Sequence, residues 1–237
     1  MAKKTPPASN RRFGGLLAII AVLGIGAIGY SVMKPKPQAR IIDPNTPLPE
    51  AKGHFLGSDS APVLITMYAD FECPGCGQFA TVTEPDVRTR IINAGLARFQ
   101  FVDFPLDQAH KNTMIAHNAA WCAGAQDKFW QMHDRIYEMQ GYWSDLLAGK
   151  DANRAEDAMS DYAKEVGVDV KAFETCMLDR TYELQIRANQ KQGVMLGVGG
   201  TPTFVIGNRM LPAGVGSYDI LKATVDSVAA EAKKAKK

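Results

Sequence analysis

The sequence has little excess charge and no basic patch beyond its first residues. Its 237 residues carry a formal net charge of +2. Lys3, Lys4, Arg11 and Arg12 contribute +4 before residue 13, so the remainder of the chain sums to −2. Because nucleic-acid binding depends on a concentrated basic surface, this distribution excludes nucleic acid as a partner of the folded part.

Cysteines are few, and their spacing does not suit a metal site. The chain contains Cys73, Cys76, Cys122 and Cys176, and only the first two form a Cys-x-x-Cys pair. A zinc site would need a second pair of ligands. Neither another Cys-x-x-Cys nor a His-x-x-x-His spacing occurs in the sequence. We therefore predict no metal and no cofactor, and an inert structural disulfide remains an alternative for the first pair.

The segment Cys73-Pro74-Gly75-Cys76 follows an apolar run, Val63 to Ala69, that is β-branched enough to form a buried strand. Pro74 suits the first turn of a helix, because it has no N–H to leave unbonded and its φ is fixed. Cys73 would then lie at or near the N-cap. Unpaired backbone N–H groups and the helix dipole favour a thiolate there, and Cys76 is one helical turn away.

Residues 13–33 form a run of 21 residues without a charge. A helix of that length spans about 30 Å of hydrocarbon. The basic residues precede it, so the positive-inside rule places residues 1–12 in the cytoplasm and residues 34–237 outside. A cleaved signal peptide is the alternative, although no clear Ala-x-Ala site follows the run. We predict a transmembrane signal-anchor in the cytoplasmic membrane, with the remaining domain on the periplasmic or extracytoplasmic side.

Proline is concentrated between the anchor and the folded part. Residues 34–52 contain five prolines, a density that disfavours helix and favours extended conformations. This segment is predicted to be a linker.

Residues 53–232 are predicted to form one α/β domain, followed by a basic tail at residues 233–237. Ala97 to Phe104 alternates with period two, and strand, helix and strand in this order imply a parallel βαβ unit. From about 108 to 196 apolar residues recur at helical spacing, which indicates an inserted helical subdomain. A hairpin turning at Gly207-Asn208 and a closing helix over Tyr218 to Ala232 complete the domain.

Cys122 and Cys176 both fall on helical patterns inside this insert, 54 positions apart. An oxidising compartment would favour their pairing, so we predict a structural disulfide. Free buried thiols are the alternative. A second redox pair is disfavoured, because neither cysteine lies at a helix N-terminus.

Four short segments of the domain occur in a characteristic order. They are Asp70 to Cys76, the strand end Asp103 to Leu106, the helical Lys128 to His133, and Gly200 to Phe204. Together they resemble the DsbA-like branch of the thioredoxin superfamily, over about residues 53–232. The resemblance implies a thioredoxin-like fold with an inserted helical subdomain. It also implies a cis Thr201–Pro202 bond, with both residues forming a substrate ledge beside Cys73.

The chain departs from that family at one position. Thioredoxin-like domains often carry a buried acid six positions before the first cysteine, where this chain has Met67. Asp70 and Glu72 are close in sequence, but a near-surface solubilising role is the simpler interpretation of both. The dipeptide Pro74-Gly75 also lacks the histidine that stabilises the thiolate in strongly oxidising relatives.

The resemblance implies thiol–disulfide exchange with cysteines of client proteins. Cys73 is the predicted attacking and leaving sulfur, Cys76 is the resolving partner, and Glu72, Pro74 and Gly75 are active-site neighbours. In the oxidising direction a membrane quinone-linked oxidase of the DsbB or vitamin-K-epoxide-reductase type would reoxidise the pair.

Two other functions remain open. One is the same chemistry in reverse, a reductase or isomerase supplied by an electron-donating membrane reductase. The other is a non-catalytic thioredoxin-fold subunit of a membrane complex. Thr201 occurs before the proline in relatives of both redox kinds and does not discriminate between them.

Overall fold

The computed structural model of the chain describes residues 19, 23, 38–43, 51–144 and 152–235. The predicted cytoplasmic tail and the predicted anchor over residues 13–33 lie outside this part of the chain, apart from residues 19 and 23. Within it, no helix combines the length and the apolar character needed to cross a membrane. From Gln38 onward the chain forms one compact unit.

The strands of the described residues come from both ends of the domain, and the helices lie mainly between them. The strands are β1 (Arg40–Ile41), β2 (His54–Leu56), β3 (Leu64–Ala69), β4 (Arg98–Asp103), β5 (Thr203–Ile206) and β6 (Arg209–Met210). The helices are α1 (Pro74–Gln78), α2 (Glu84–Val87), α3 (Thr113–Gly124), α4 (Phe129–Glu138), α5 (Gln140–Trp143), α6 (Ala152–Val166), α7 (Val170–Leu178), α8 (Glu183–Leu196) and α9 (Tyr218–Ala235). Two π-helical segments, Phe79–Thr83 and Arg88–Ile92, follow α1 and α2.

The strands form one sheet in the order β1-β6-β5-β3-β4-β2. Strands β3 and β4 are parallel, with Ala69 opposite Asp103, which confirms the predicted βαβ unit. Strand β5 runs antiparallel to β3 and returns through Gly207 into β6, which confirms the predicted hairpin. The first residue of β5, Thr203, lies opposite Tyr68. The residues just before β5 therefore lie beyond the carboxyl end of β3.

Alternation along β3 divides the core between the two faces of the sheet. Ile65, Met67 and Ala69 face the main cluster, which also takes in the buried side chains of the helical insert. Tyr68 faces a smaller cluster with Val102 and residues from the end of α8. Both faces are covered, and for this reason β3 reads as a continuous apolar run.

The helical insert predicted over residues 108–196 is confirmed, since the described residues between β4 and β5 contain helices and no strand. Asp169 caps α7, and its side chain accepts a hydrogen bond of 2.8 Å from the backbone N–H of Ala172. Gly167 adopts a φ of 77° between α6 and α7, a conformation that glycine adopts without a steric penalty. Helix α4 packs against α1, which attaches the insert to the strand–helix corner.

Cys122 of α3 and Cys176 of α7 form a disulfide, with their Cα atoms 5.9 Å apart. The bond closes a segment with a sequence separation of 54. In the chain-entropy model, a crosslink of that span contributes about 4 kcal/mol to stability. The disulfide thus fastens two helices of the insert to each other.

The predicted linker is corrected in two places. Arg40–Ile41, within residues 34–52, pairs antiparallel with β6 at the edge of the sheet. At the other end, the backbone N–H and carbonyl of Lys52 exchange hydrogen bonds with the side chain of Asn189. Within the predicted linker, the structure describes only residues 38–43 and 51–52. Arg40–Ile41 and Lys52 are both part of the folded unit. The edge strand β2, which pairs with β4, was also not predicted.

Candidate active site

Cys73 is the N-cap of α1, as the position of Pro74 predicts. Its backbone is extended (φ −68°, ψ 122°), and Pro74 occupies the first turn. Cys73 is 9% exposed and Cys76 is 0% exposed, and both are free thiols. Pro74 and Gly75 are exposed between them. One sulfur therefore lies at the surface of the corner and the other lies beneath it.

The pKa of the Cys73 thiol is lowered from 9.0 to about 6. Hydrogen bonding with Cys76 is the largest cause, and partial burial opposes it. The backbone N–H groups of Cys76 and Gly75 lower the pKa further. These donors all stabilise negative charge on sulfur, so Cys73 is largely a thiolate at neutral pH.

The pKa of Cys76 moves in the opposite direction, to well above 9.0. Burial is the main cause, because it disfavours the thiolate. Hydrogen bonding to Cys73, the charge of Cys73 and the charge of Asp70 add to it. The two sulfurs thus differ sharply in nucleophilicity although they are one helical turn apart.

The Thr201–Pro202 peptide bond is cis. The sulfur of Cys73 lies 3.5 Å from the backbone oxygen of Thr201. A Cβ atom built on Gly75 would lie 3.4 Å from Pro202 Cδ and 3.8 Å from Cys73 Sγ. The structure therefore brings Cys73, Gly75, Thr201 and Pro202 close together.

A shallow groove of about 240 Å³ extends from this surface. Its lining includes Gly75, Phe79, Val82, Pro202 and Gly214. Val82 is 68% exposed. An extended peptide lying along the ledge would find apolar contacts next to the reactive sulfur.

Asp70 and Glu72 are both 0% exposed, so their interpretation as near-surface solubilising residues was wrong. The Oδ1 atom of Asp70 accepts hydrogen bonds from the Glu72 N–H at 2.7 Å and the Thr113 hydroxyl at 2.6 Å. Its Oδ2 atom accepts from the Leu106 N–H at 2.6 Å and bonds His110 Nδ1 at 2.7 Å. Asp70 thus connects the end of β3 to the beginning of the insert.

Burial favours the neutral form of Asp70, but hydrogen bonding from His110 and the nearby His117 outweigh it. Hydrogen bonds from Thr113 and Leu106 act in the same sense, so the pKa of this carboxyl is lowered. The pKa of His110 is raised, chiefly by its hydrogen bond to Asp70. A buried carboxylate–imidazole pair therefore lies directly behind the reactive corner.

Glu72, predicted as an active-site neighbour, also points toward the insert. Its Oε2 atom accepts a 2.7 Å hydrogen bond from the N–H of Asn112, and its Oε1 atom accepts one of 3.1 Å from the Ser144 hydroxyl. The acids on either side of Phe71 thus both bond the segment that leads into α3, and Glu72 also bonds Ser144.

Gln140 also lies at this corner, and it was not predicted from the sequence. It is 6% exposed, and its Nε2 atom donates to the backbone oxygens of Phe71 at 2.7 Å and Cys73 at 3.0 Å. A glutamine in a four-residue helix gives no periodic signal. For Asp70, a local signal was available. An aspartate directly after a strand can accept a hydrogen bond from the backbone N–H two residues later, as in an Asx turn.

His133 is fully buried among aromatic rings, including Phe71 and Tyr137. Within the described part of the chain, Glu84, His133 and Asp134 place ligand-type atoms within 4.8 Å of one another. The guanidinium of Arg88 bonds to both of these carboxylates at 2.6 Å. A protein cation therefore already bonds both carboxylates of this group.

Titration of the reduced protein should show a thiolate forming with a midpoint near pH 6, because the donors around Cys73 stabilise the anion. Absorbance at 240 nm against pH measures it, and a Cys73→Ser variant should lack the transition. Since the folded pKa lies below 9.0, the reduced protein should gain stability as pH rises from 6 to 9 and lose that gain as pH falls through 6. A midpoint near 9 would contradict this assignment.

Asp70→Ala should lower the free energy of unfolding by about 3–5 kcal/mol, because it leaves His110 and three further donors without their acceptor. Asp59→Ala is the matched control, since Asp59 is 85% exposed and pairs with Arg98 at the surface. Its loss should cost less than about 1 kcal/mol. Urea unfolding measures both, and equal losses would show that Asp70 does not hold the corner.

Comparison with known proteins agrees with this geometry. The family model described as Thioredoxin matches residues 50–227. A Na(+)/H(+) antiporter NhaA 1 of Salinispora arenicola is 34% identical over 96% of this chain, which spans only 29% of the relative's length. A probable disulfide bond formation protein D of Bacillus anthracis is 26% identical, over 90% of this chain and 93% of that protein.

Among solved structures, Wolbachia pipientis alpha-DsbA1 superposes with a TM-score of 0.67 at 19% identity. The superposition covers 80% of this chain and 97% of the other. The match extends through the helical insert as well as the sheet. The chain therefore belongs to the thioredoxin family.

Proposed function

We propose that this chain oxidises thiol pairs of client proteins outside the cytoplasmic membrane, with the Cys73–Cys76 disulfide as the oxidant. The observation that carries the proposal is the contrast between the two thiols. The pKa of Cys73 is about 6, whereas burial raises that of Cys76 well above 9.0. The more acidic sulfur is also the more accessible one, and it lies beside Pro202.

The low pKa of Cys73 supports the oxidising direction. A thiolate that the fold stabilises makes the reduced pair more stable and its disulfide a stronger oxidant. A pKa of about 6 lies between the ~7 of thioredoxin and the ~3.5 of DsbA. The relative from Bacillus anthracis, which aligns over most of its length, has disulfide bond formation in its name.

The reaction proceeds in two exchanges. A client thiolate attacks the Cys73 sulfur of the disulfide, which forms a mixed disulfide and releases Cys76. Cys76 takes up a proton, because its buried thiolate is unfavourable. A second client thiolate then attacks the client sulfur of the mixed disulfide. The client gains a disulfide, and Cys73 leaves as the stabilised thiolate with two electrons added to the pair.

The high pKa of Cys76 also affects the competing return step. If Cys76 attacked Cys73 in the mixed disulfide, the client would be released without oxidation. That attack requires a thiolate, which is rare on a fully buried sulfur with a strongly raised pKa. The mixed disulfide therefore persists long enough for the second client thiol to react.

Turnover requires a partner that removes the two electrons. The predicted anchor at residues 13–33 would hold the domain beside a quinone-linked oxidase in the membrane. The same position would serve an electron-donating reductase if the direction were reversed, so the reduction potential is the quantity that separates the two partners.

The reduction potential of the Cys73–Cys76 pair should lie between ~−270 mV, the value for thioredoxin, and ~−120 mV, the value for DsbA. The reason is the intermediate pKa of Cys73. Equilibration with glutathione of known ratio, followed by quantification of the free thiols, measures it. A potential at or below that of thioredoxin would favour the reductase and contradict the proposed direction.

Cys76→Ser should accumulate disulfide-linked adducts between Cys73 and client proteins in the producing cells. The Cys73 thiolate can still attack a client disulfide and displace one client thiolate, while the attack by Cys76 that would release the client is absent. Non-reducing electrophoresis detects them, and dithiothreitol should release them. A Cys73→Ser, Cys76→Ser variant keeps the Cys122–Cys176 bond and is the control, which should form none. Absence of adducts from the single variant would count against thiol exchange and in favour of a non-catalytic role.

A further inference from the structure

Two backbone carbonyl groups at the reactive corner accept hydrogen bonds from a side chain of the helical insert. The backbone oxygen of Cys73 accepts hydrogen bonds of 3.1 Å from the N–H groups of Cys76 and Gly77. It also accepts the 3.0 Å bond from Gln140, which simultaneously bonds the oxygen of Phe71. One side chain of the insert thus fixes two carbonyls on either side of Glu72, and with them the peptide planes that lead into α1.

Gly77 provides the space that this arrangement needs. A Cβ atom at residue 77 would lie 2.4 Å from Gln140 Oε1 and 2.9 Å from its Cδ. Glycine is a poor helix former, yet Gly77 is buried within α1. The amide of Gln140 therefore lies directly against the backbone of the first turn, and only a residue without a side chain permits that contact.

The first turn is also the part of the helix that stabilises the reactive sulfur. The backbone N–H groups of Gly75 and Cys76 are among the donors to Cys73. Gln140 holds the oxygen of the Cys73–Pro74 peptide, which leads directly into the two peptides that carry these N–H groups. Gln140 acts on the sulfur through the backbone.

We propose that Gln140, seated on Gly77, is a positioning residue that sets the stability of the Cys73 thiolate and hence the oxidising strength of the Cys73–Cys76 pair. This inference deepens the proposed function and rests on it for its biological meaning. Through Gln140 the helical insert takes part in the redox chemistry, in addition to covering the corner.

The test compares Gln140→Ala, Gly77→Ala and the double variant by thiolate titration at 240 nm. Gln140→Ala should raise the pKa of Cys73 by about one unit, a tenfold change in its ionisation constant. Gly77→Ala should raise it similarly, because the new methyl group displaces the amide. The double variant should shift no further than Gln140→Ala, since both changes act on one contact. The reduction potential should become more negative in all three.

Gln126→Ala is the matched control. Gln126 also exchanges two hydrogen bonds with backbone atoms, those of Asp169, but neither residue bonds an atom of the segment Asp70 to Gly77. Its loss should reduce stability without moving the pKa of Cys73. Near-UV circular dichroism shows which variants remain folded, and if Gln140→Ala does not, Gly77→Ala supplies the same measurement.

An unchanged Cys73 pKa in folded Gln140→Ala or Gly77→Ala would overturn the proposal, and so would shifts that add in the double variant. Both readouts use purified protein without a client. A Cys76→Ser variant that forms no client adducts would therefore contradict the proposed function while leaving the positioning role of Gln140 measurable.

Discussion

The buried carboxylate of Asp70 is the constraint on which the rest of the site depends. A buried anion is unfavourable unless it is paired and fully hydrogen-bonded. Asp70 meets that condition with four donors, and three of them, on Leu106, His110 and Thr113, come from the segment that leads into the insert. The corner after β3 and the start of the insert can therefore only form together. Glu72 repeats the arrangement with Asn112 and Ser144.

The position of each cysteine in this corner explains why the pKa values of the two thiols differ. Cys73 lies where α1 begins and collects donors, so the pKa of its thiol falls to about 6. Cys76 lies one turn deeper, where burial dominates and the charge of Asp70 adds to it, so its pKa rises. The same carboxylate that holds the insert in place thus helps to keep the resolving sulfur protonated.

Much of the fold was predictable because its signals are local. The alternation of β3 and β4, the proline after Cys73 and the Gly207-Asn208 turn each act within a few residues. The burial of Asp70 was not predictable in this way, because its partners lie 36 to 43 positions along the chain. Gln140 is 67 positions from Cys73. Two-residue strands such as Arg40–Ile41 are too short to show a period, and nearby prolines favoured the interpretation as a linker.

The chain has Met67 where thioredoxin-like domains often carry a buried acid, and the buried acid near Cys76 is Asp70. Met67 is fully buried in the main core, between Phe101 and Phe204 on the neighbouring strands. The carboxylate of Asp70 lies close by, directly after the end of β3 rather than within the strand. There it is bonded to four donors that lower its pKa, so it is a poor acceptor for the proton of Cys76. An acid at position 67 would have few such partners in an apolar core and would accept that proton more readily. With Met67 in the core and Asp70 held as a structural anion, Cys76 remains a thiol that becomes nucleophilic only when solvent or a partner removes its proton.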